Sequence, residues 1–405
     1  MAVKKIVLAD GTVRWRVRHY VGIDPDTGRR EIITKTFDKK KAADTEAAKL
    51  RMMKEGGVRV RPSKETLGKY LERWIKEVKE GEIRARTLHD YKGYVRRYIT
   101  HPPPGTPPIG KVQLNRLTPA AFQTLYDHLW RELDLGPRTI QYLHTILRQA
   151  LGHAVLVGSL ARNPTDGVKP KKQRREGKAE NGQQVRKSRA MSESEAQLFL
   201  AKAQEDRYHA LWSVLLAGGI RPGEALGLEW GDVDFDGGKI HVQRSLTRLG
   251  VEGWKLTEPK TNRARRVVPL PSFTMTALKE WRTQQVEERL LLGSEYQDHG
   301  FVFSTEFGAP LDGANLNNRH FKRILAAAEL GEWVEKKGKK TFKPGFRMYD
   351  LRHTCATLLL LKGENPKVVS ERLGHASITL TLDTYSHVLP DMQGAAVEKM
   401  EAMFG

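Results

Sequence analysis

Three side chains near the C-terminal end of the sequence have types that could act together on a phosphate ester: Arg352, His375 and Tyr385. A guanidinium grips two phosphate oxygens at once and does not lose its proton, and an imidazole can donate a further hydrogen bond. A tyrosine hydroxyl can attack phosphorus and form a covalent phosphotyrosyl link. Because that link conserves bond energy, rejoining needs no ATP. Residues of these three types are therefore suited to metal-independent cleavage and rejoining of a phosphodiester.

The segment that carries these residues is predicted to form three short helices. The first follows Asp350 and ends at Gly363. The second is capped by Asn365 and ends at Gly374, and the third begins at Ser377. The arginine then lies in a first helical turn and the histidine just after a helix C-terminus. Side chains and backbone donors can converge on one anion at such positions.

Three short motifs follow one another in the same segment. They are Arg-His-Thr-x-Ala-Thr at 352–357, Leu-Gly-His at 373–375 and Thr-x-x-x-Tyr-x-His at 381–387. In this order and spacing they resemble the C-terminal signature of the tyrosine recombinases, the phage integrase family.

That resemblance implies a second arginine and a lysine further upstream. Arg221 takes the arginine place, within the sequence LLAGGIRPGEALGL at 215–228. Lys260 takes the lysine place, within EPKTNRARRVVPL at 258–270, a segment that resembles a β-hairpin of the family.

The resemblance also implies a role for each residue of the set. Arg221 and Arg352 would bind the phosphoryl oxygens, and His375 would donate a hydrogen bond to the phosphate. Lys260 would protonate the departing 5′ oxygen, and a general acid of this kind contributes ~10²–10⁴-fold in rate. Tyr385 would be the nucleophile.

Two positions depart from the family pattern. Tyr349 occupies the place three residues before the second arginine where a histidine is usual, and Ala264 stands where a serine is common. A phenol with an ordinary pKa of about 10 is a poor base at neutral pH. We therefore expect Tyr349 to orient groups of the site rather than to titrate. His353 is expected to be structural, and Glu224 to pair with the arginine one turn before it.

Composition predicts a multidomain protein that binds a polyanion. The 405 residues include 69 lysines and arginines against 48 acidic residues, a formal net charge of +21. Such an excess favours duplex DNA as the partner. The single cysteine, Cys355, suits a reducing cytosol. No apolar run approaches 18 residues and no secretory h-region opens the chain, so we expect a soluble protein of a bacterial cytoplasm.

Residues 1–60 are predicted to form a small DNA-binding domain of three strands and a helix. An alternating strand puts apolar residues on one face and arginines on the other, and a third strand at 31–37 precedes a helix at 39–54. This arrangement resembles the arm-site-binding domain of phage integrases, in which a sheet enters the major groove. The alternative is a solvated basic face. The candidate DNA contacts are Arg14, Arg16, Arg18 and Lys35.

The remaining chain is divided into a helical bundle, a linker and a catalytic domain. Residues 62–165 resemble the core-binding domain of the family, and 191–405 the catalytic domain. Between them, 166–190 is a basic linker in which Lys171 and Lys172 are expected to lie across phosphates.

The predicted fold is therefore mainly α with small β-sheets. In the catalytic domain, segments 239–246, 254–257 and 266–270 are expected to form one three-stranded sheet with Lys260 on its turn. Residues 391–404 are expected to form a short terminal helix.

These features predict a site-specific integrase that acts as a homo-tetramer on core and arm attachment sites. A host bending protein and a directionality factor are further candidate partners. The alternatives are a chromosome-dimer resolvase, a type IB topoisomerase and an inactive DNA-binding regulator. A metal-dependent nuclease is disfavoured because no paired carboxylates with ligand spacing accompany the histidines. No cofactor and no metal are expected.

Overall fold

A computed structural model describes residues 2–23, 30–55, 65–170, 189–250, 253–258, 265–336, 338–385, 397 and 400–404 of the chain. Helices dominate and the sheets are small and antiparallel, which confirms the predicted fold class. Two compact units can be separated, Met1–Glu176 and Gly177–Gly405. That division falls inside the predicted basic linker; the finer domain bounds stay a prediction.

The first unit contains a three-stranded sheet, a helix beside it and a helical bundle. Its elements are β1 Ala2–Val7, β2 Val13–Ile23, β3 Arg30–Phe37, α1 Lys40–Glu55, α2 Leu67–Trp74, α3 Ala85–Val95, α4 Pro119–Arg131 and α5 Pro137–Leu156. Helices α2 and α3 each continue into a π-helical turn, Ile75–Lys79 and Arg96–Thr100. The sheet order is β1-β2-β3, and Val17 of β2 packs against Ala43 and Ala47 of α1.

The bundle has a core of its own, built from aromatic and leucine side chains on one face of each helix. Tyr70 and Trp74 of α2 and Phe122 and Tyr126 of α4 are almost fully buried in it. Thr118 caps the start of α4, with its hydroxyl accepting a hydrogen bond from the backbone N–H of Ala121 at 3.3 Å.

The second unit is a helical domain with three small sheets. Its helices are α6 Glu193–Ala203, α7 His209–Gly218, α8 Pro222–Leu226, α9 Ser272–Leu292, α10 Gly313–Asn315, α11 Lys322–Ala327, α12 Asp350–Leu361, α13 Pro366–Leu373 and α14 Ile378–Tyr385. Its strands are β4 Val233–Asp234, β5 Lys239–Val242, β6 Ser245–Arg248, β7 Trp254–Thr257, β8 Arg266–Pro269, β9 Gly331–Lys336 and β10 Lys339–Pro344.

The single sheet predicted in this unit is wrong. Strand β5 pairs with β4 and β8, whereas β6 forms a separate hairpin with β7. The predicted strand 239–246 is interrupted because Gln243 and Arg244 turn to the buried carboxylate of Asp232, at 3.1 and 2.7 Å. The hairpin β9–β10 was not predicted.

Helix α7 lies at the centre of this unit and is buried on nearly all sides. Helix α12 packs against it. The Thr354 hydroxyl of α12 bonds to the carbonyl of Asp350 at 2.9 Å and accepts from the backbone N–H of Met191 at 3.0 Å. The N-terminal turn of α12 is thereby fixed to the start of the unit.

Two glycines of the bundle provide a test of how closely its elements approach. A Cβ on Gly110 would collide with the carbonyl oxygen of Ile99, whereas a Cβ on Gly93 of α3 would meet nothing within 4 Å. Gly110→Ala should lower the free energy of unfolding by about 1–3 kcal/mol, because the backbone must shift to admit the methyl group. Gly93→Ala should raise the free energy of unfolding by about 0.5–1 kcal/mol, because Gly93 occupies an exposed position inside a helix.

Urea unfolding of the two variants, followed by circular dichroism, gives both values. If Gly110→Ala leaves the midpoint unchanged or raises it, the close approach at Gly110 is wrong.

Candidate active site

Arg352 is a fully buried arginine whose guanidinium binds the C-terminal ends of two helices. It is 1% exposed. Its Nη1 donates to the carbonyl of Gly219 at the end of α7 at 2.8 Å, and its Nη2 to the carbonyl of Leu373 at the end of α13 at 2.6 Å. Helix C-termini leave unpaired carbonyls and carry partial negative charge, so a cation is favoured there. The guanidinium is therefore fixed in place by backbone.

Arg221 lies immediately before α8 and is held by Glu224. The Arg221 Nη1 donates to Glu224 Oε1 at 2.7 Å, and the Arg221 backbone N–H to Oε2 at 2.9 Å. Burial alone would lower the pKa of Arg221, but Glu224 and the Tyr349 hydroxyl together raise it above the ordinary value. The predicted pairing of Glu224 with this arginine is present.

A third arginine, which was not selected from the sequence, also pairs with Glu224. Arg266 of β8 has a side chain that is only 6% exposed. Its Nη2 donates to Glu224 Oε2 at 2.9 Å and its Nε to the carbonyl of Arg372 at 2.6 Å. A Cβ on Gly374 would lie 3.0 Å from the Arg266 side chain, so the turn after α13 needs glycine for space as well as for its φ of +66°.

Glu224 is the counter-ion of this buried group of cations. Burial would raise the pKa of the carboxyl, but Arg266 and Arg221 lower it below the usual range. In contrast, burial and the nearby Arg221 lower the pKa of Arg352. Three guanidinium groups against one carboxylate leave an excess of positive charge, which suits binding of an anion.

His375 follows α13 and is kept neutral by its surroundings. Its Nδ1 lies 2.8 Å from the Thr381 hydroxyl of α14. Burial, with Arg352, Arg221 and Arg266 in support, lowers the pKa of His375 to about 4. A neutral imidazole at this place can still donate a hydrogen bond to a phosphate oxygen.

Tyr385 is buried and bonded to a histidine. The residue is 3% exposed, and its hydroxyl lies 2.7 Å from Nδ1 of His353. Burial raises the pKa of Tyr385 to about 12, although Arg352 acts in the opposite direction. The phenol is therefore protonated at neutral pH. From sequence, His353 was expected to be structural, and this contact was not predicted because the two residues are 32 positions apart in the chain.

Tyr349 lies at the start of α12, beside the same groups. It is 41% exposed, and its ring centroid is 5.3 Å from that of His353. Its hydroxyl influences the pKa of both Arg221 and Tyr385.

The structure thus brings together five of the six predicted catalytic residues: Arg221 and Arg352 act on the pKa of His375, and Arg352 and Tyr349 act on that of Tyr385. The five are Arg221, Tyr349, Arg352, His375 and Tyr385. The sixth, Lys260, lies outside the described residues, between β7 and β8 in the sequence.

Comparison with known proteins identifies the family. Residues 189–392 match the model of the phage integrase family. A relative from Caldanaerobacter subterraneus subsp. tengcongensis, a XerC-like tyrosine recombinase, is 31% identical over 417 residues, which cover 100% of each chain. This chain belongs to the phage integrase family. It is a tyrosine recombinase, an enzyme that cleaves and rejoins DNA.

Solved structures of other tyrosine recombinases have the same fold. The Tn1549 transposon integrase in complex with a circular intermediate DNA is 20% identical, with a TM-score of 0.60 over 83% of this chain and 99% of that one. The lambda integrase tetramer bound to a Holliday junction is 17% identical, with a TM-score of 0.53 over 93% and 96%.

The candidate DNA contacts of this recombinase lie on two faces of the N-terminal sheet. Arg16 and Arg18 are exposed and point away from α1, because Val17 between them packs on that helix. Lys35 pairs with Val17 and so lies on the helix side, with its Nζ 2.5 Å from Glu46. Arg14 is paired with Asp38 at 3.2 Å. Lys171 and Lys172 lie outside the described residues.

The part of the chain that the structure describes contains neither a membrane-spanning helix nor a cluster of metal-binding side chains. No helix in it combines the length and the apolar character needed to cross a bilayer. No three His, Cys, Asp or Glu side chains gather there as a metal site would require. The expectation that the recombinase needs no cofactor stays a prediction.

The buried pair of Glu224 and Arg266 should be important for stability. Glu224→Gln should lower the free energy of unfolding by about 3–5 kcal/mol, because it leaves a buried guanidinium without its counter-ion. The control is Glu193→Gln, whose partner Lys362 is 2.8 Å away but 68% exposed. That change should cost less than about 1 kcal/mol. Equal effects of the two substitutions in urea unfolding would contradict the assignment.

The hydrogen bond between Thr381 and His375 should set the orientation of the imidazole. Thr381→Val keeps the shape of a fully buried side chain but removes its hydroxyl. It should slow strand cleavage by about threefold to tenfold, the worth of one hydrogen bond. Thr384→Val is the matched control, because that hydroxyl bonds only its own helix, at the carbonyl of Leu380. Single-turnover cleavage rates compare the two, and an unchanged rate for Thr381→Val would remove this role.

Proposed function

We propose that the chain is the integrase of a phage or an integrative mobile element, which inserts and excises that element through a 3′-phosphotyrosyl intermediate. The observation that carries this proposal is the convergence of two arginines, a neutral histidine and a tyrosine at one place. In support, the solved relatives include a transposon integrase with circular intermediate DNA and a phage integrase on a Holliday junction.

Each residue then has a role set by its surroundings. Arg221 and Arg352 bind the non-bridging oxygens of the scissile phosphate, and their positions are fixed by Glu224 and by helix C-termini before DNA arrives. Charge that develops in the transition state is stabilised most by donors that need no reorganisation. His375, uncharged, donates one further hydrogen bond.

The two remaining roles concern bond making and bond breaking. Tyr385 attacks phosphorus and becomes joined to the 3′ end, which releases a 5′ hydroxyl. Lys260 protonates that departing oxygen, since a lysine among cationic groups can release its proton. Tyr349 orients its neighbours, in keeping with its contact with His353.

The substrate is double-stranded DNA that is held by both units of the chain. Arg16 and Arg18 present an exposed basic face suited to a groove at arm sites, and the net charge of +21 supports extended phosphate contact. Lys35 and Arg14 are paired with carboxylates and therefore contribute less to DNA binding. Residues 62–165 bind the core site. Residues 166–190, with Lys171 and Lys172, contact the DNA phosphates.

Strand exchange between two duplexes requires four active sites, so the assembly is a homo-tetramer on DNA. A tetramer on a Holliday junction is the state in which the lambda integrase was solved. A host bending protein or a directionality factor would select integration or excision, in the cytoplasm of a bacterial host.

Replacement of the nucleophile tests this function. The substrate is a nicked duplex made from the DNA that flanks the coding region, in which religation is blocked and a covalent protein–DNA adduct accumulates. Tyr385→Phe should bind this duplex with unchanged affinity and form no adduct, because it lacks the attacking oxygen. Tyr296→Phe, in the same unit, should form the adduct as the wild type does. An adduct with Tyr385→Phe would place the nucleophile elsewhere.

A further inference from the structure

His353 lies at this site but has no chemical role in the proposed function, and from sequence it was expected only to be structural. Its Nδ1 is 2.7 Å from the hydroxyl oxygen of Tyr385, and the two ring centroids are 5.8 Å apart. It lies on α12 directly after Arg352, which is anchored in backbone, so its own backbone position is equally fixed. This is a distance at which a general base takes a proton.

We propose that His353 is the general base of strand cleavage, which accepts the proton of Tyr385 as that oxygen attacks phosphorus. The inference rests on the proposed function, since it assumes that Tyr385 is the nucleophile. The reaction needs a group that accepts the proton of the attacking tyrosine. Tyr349 cannot be that group, because a phenol does not accept protons at neutral pH.

The neighbours of Tyr385 leave His353 as the suitable acceptor. Among the described residues, Arg352, Tyr349 and Cys355 act on the pKa of Tyr385 through their charge. Arg352 is already protonated. Cys355 is a buried thiol whose pKa is raised by that burial, so it holds its own proton. An imidazole with a free ring nitrogen is the usual acceptor in such a position.

The charge state of His353 fits an acceptor that becomes active when DNA is bound. Burial lowers its pKa, and Arg352 and Arg347 add to this effect while Asp350 opposes it. The ring is thus neutral at pH 7, with a lone pair available. A phosphate placed between Arg221 and Arg352 would offset the positive charge that disfavours an imidazolium, so bound substrate would strengthen the base.

The step balances without any further reactant. As the Tyr385 oxygen bonds to phosphorus, its proton moves to Nδ1 of His353, whose other ring nitrogen already carries a proton. The bond from phosphorus to the 5′ oxygen breaks, and Lys260 gives that oxygen a proton. On rejoining, the 5′ hydroxyl attacks, its proton returns to the lysine, and the imidazolium returns its proton to the tyrosine oxygen.

The test separates proton acceptance from hydrogen bonding. In His353→Gln the amide oxygen can still accept a hydrogen bond from Tyr385 but is not basic. We expect normal DNA binding and a fall of ~10²–10⁴-fold in the rate of adduct formation. His241→Gln, on β5 of the same unit, is the control and should react at the wild-type rate. If glutamine prevents folding, the shorter His353→Asn replaces it.

Two further arms distinguish a base from an acid or from a structural residue. A duplex with sulfur in place of the 5′ bridging oxygen needs no acid, so it should restore the Lys260→Ala rate but not that of His353→Gln. Adding Tyr349→His to His353→Gln should recover part of the rate, because it places an imidazole beside the same phenol. A lost packing contact would not be restored in this way.

The outcomes distinguish the inference from the proposed function. If the wild type forms no adduct at Tyr385, the function itself is wrong. If the wild type reacts and His353→Gln keeps its rate within about threefold, well short of the loss of a general base, His353 is not the base. Rescue of His353→Gln by the sulfur substrate would also overturn the inference, because it would make the histidine part of the acid pathway.

Discussion

The guanidinium of Arg352, buried between two helix C-termini, is the interaction on which the active site depends. Helices α7 and α13 both end at this side chain, through the carbonyls of Gly219 and Leu373. A second arginine, Arg372, donates to the carbonyl of Ala217 in the last turn of α7 at 2.7 Å. Without these cations, unpaired carbonyls would face one another in a buried space. The guanidinium that we propose to bind the phosphate is therefore also a structural requirement.

This arrangement explains the other charges of the site. Burial lowers the pKa of both His375 and His353, and the charge of Arg352 lowers it further, so both imidazoles are neutral. Glu224 offsets part of the charge by pairing with Arg221 and Arg266, and so allows three guanidinium groups to share one site. Because the carboxylate compensates only in part, the site keeps an excess of positive charge that suits an anion. The proposed binding of the scissile phosphate would therefore use the same residues that stabilise the fold.

The sequence was sufficient wherever the determining interaction is local. The cap Asn365 marks the start of its helix correctly, because its side chain bonds the backbone N–H of Lys367, two residues away. The proposed catalytic set could also be selected from the sequence, since its residues lie in short motifs with fixed spacing, and the structure brings five of its six members together.

Non-local features were missed, and for a common reason. Arg266 looks like any arginine of a basic stretch, and only folding places it against Glu224, 42 residues earlier in the chain. The division of the predicted sheet depends on Asp232, which draws Gln243 and Arg244 out of the ladder. The two strands of the β9–β10 hairpin pair with each other. Because they are rich in charged residues, they lack the apolar alternation that indicates a half-buried strand.

Helix α14 carries the proposed nucleophile, and the contacts that position this helix involve the same residues as the proposed chemistry. In α14, Thr381 and Tyr385 are the buried residues, four positions apart and so on one face, whereas Ile378 and Leu380 are 41% and 49% exposed. Their polar contacts are with His375 and His353, at 2.8 and 2.7 Å. Two hydrogen bonds therefore hold the helix, together with the packing of Tyr385 against Ala356, Leu360, Val369 and Leu373. Through these two bonds, one helix orients both histidines of the proposed mechanism.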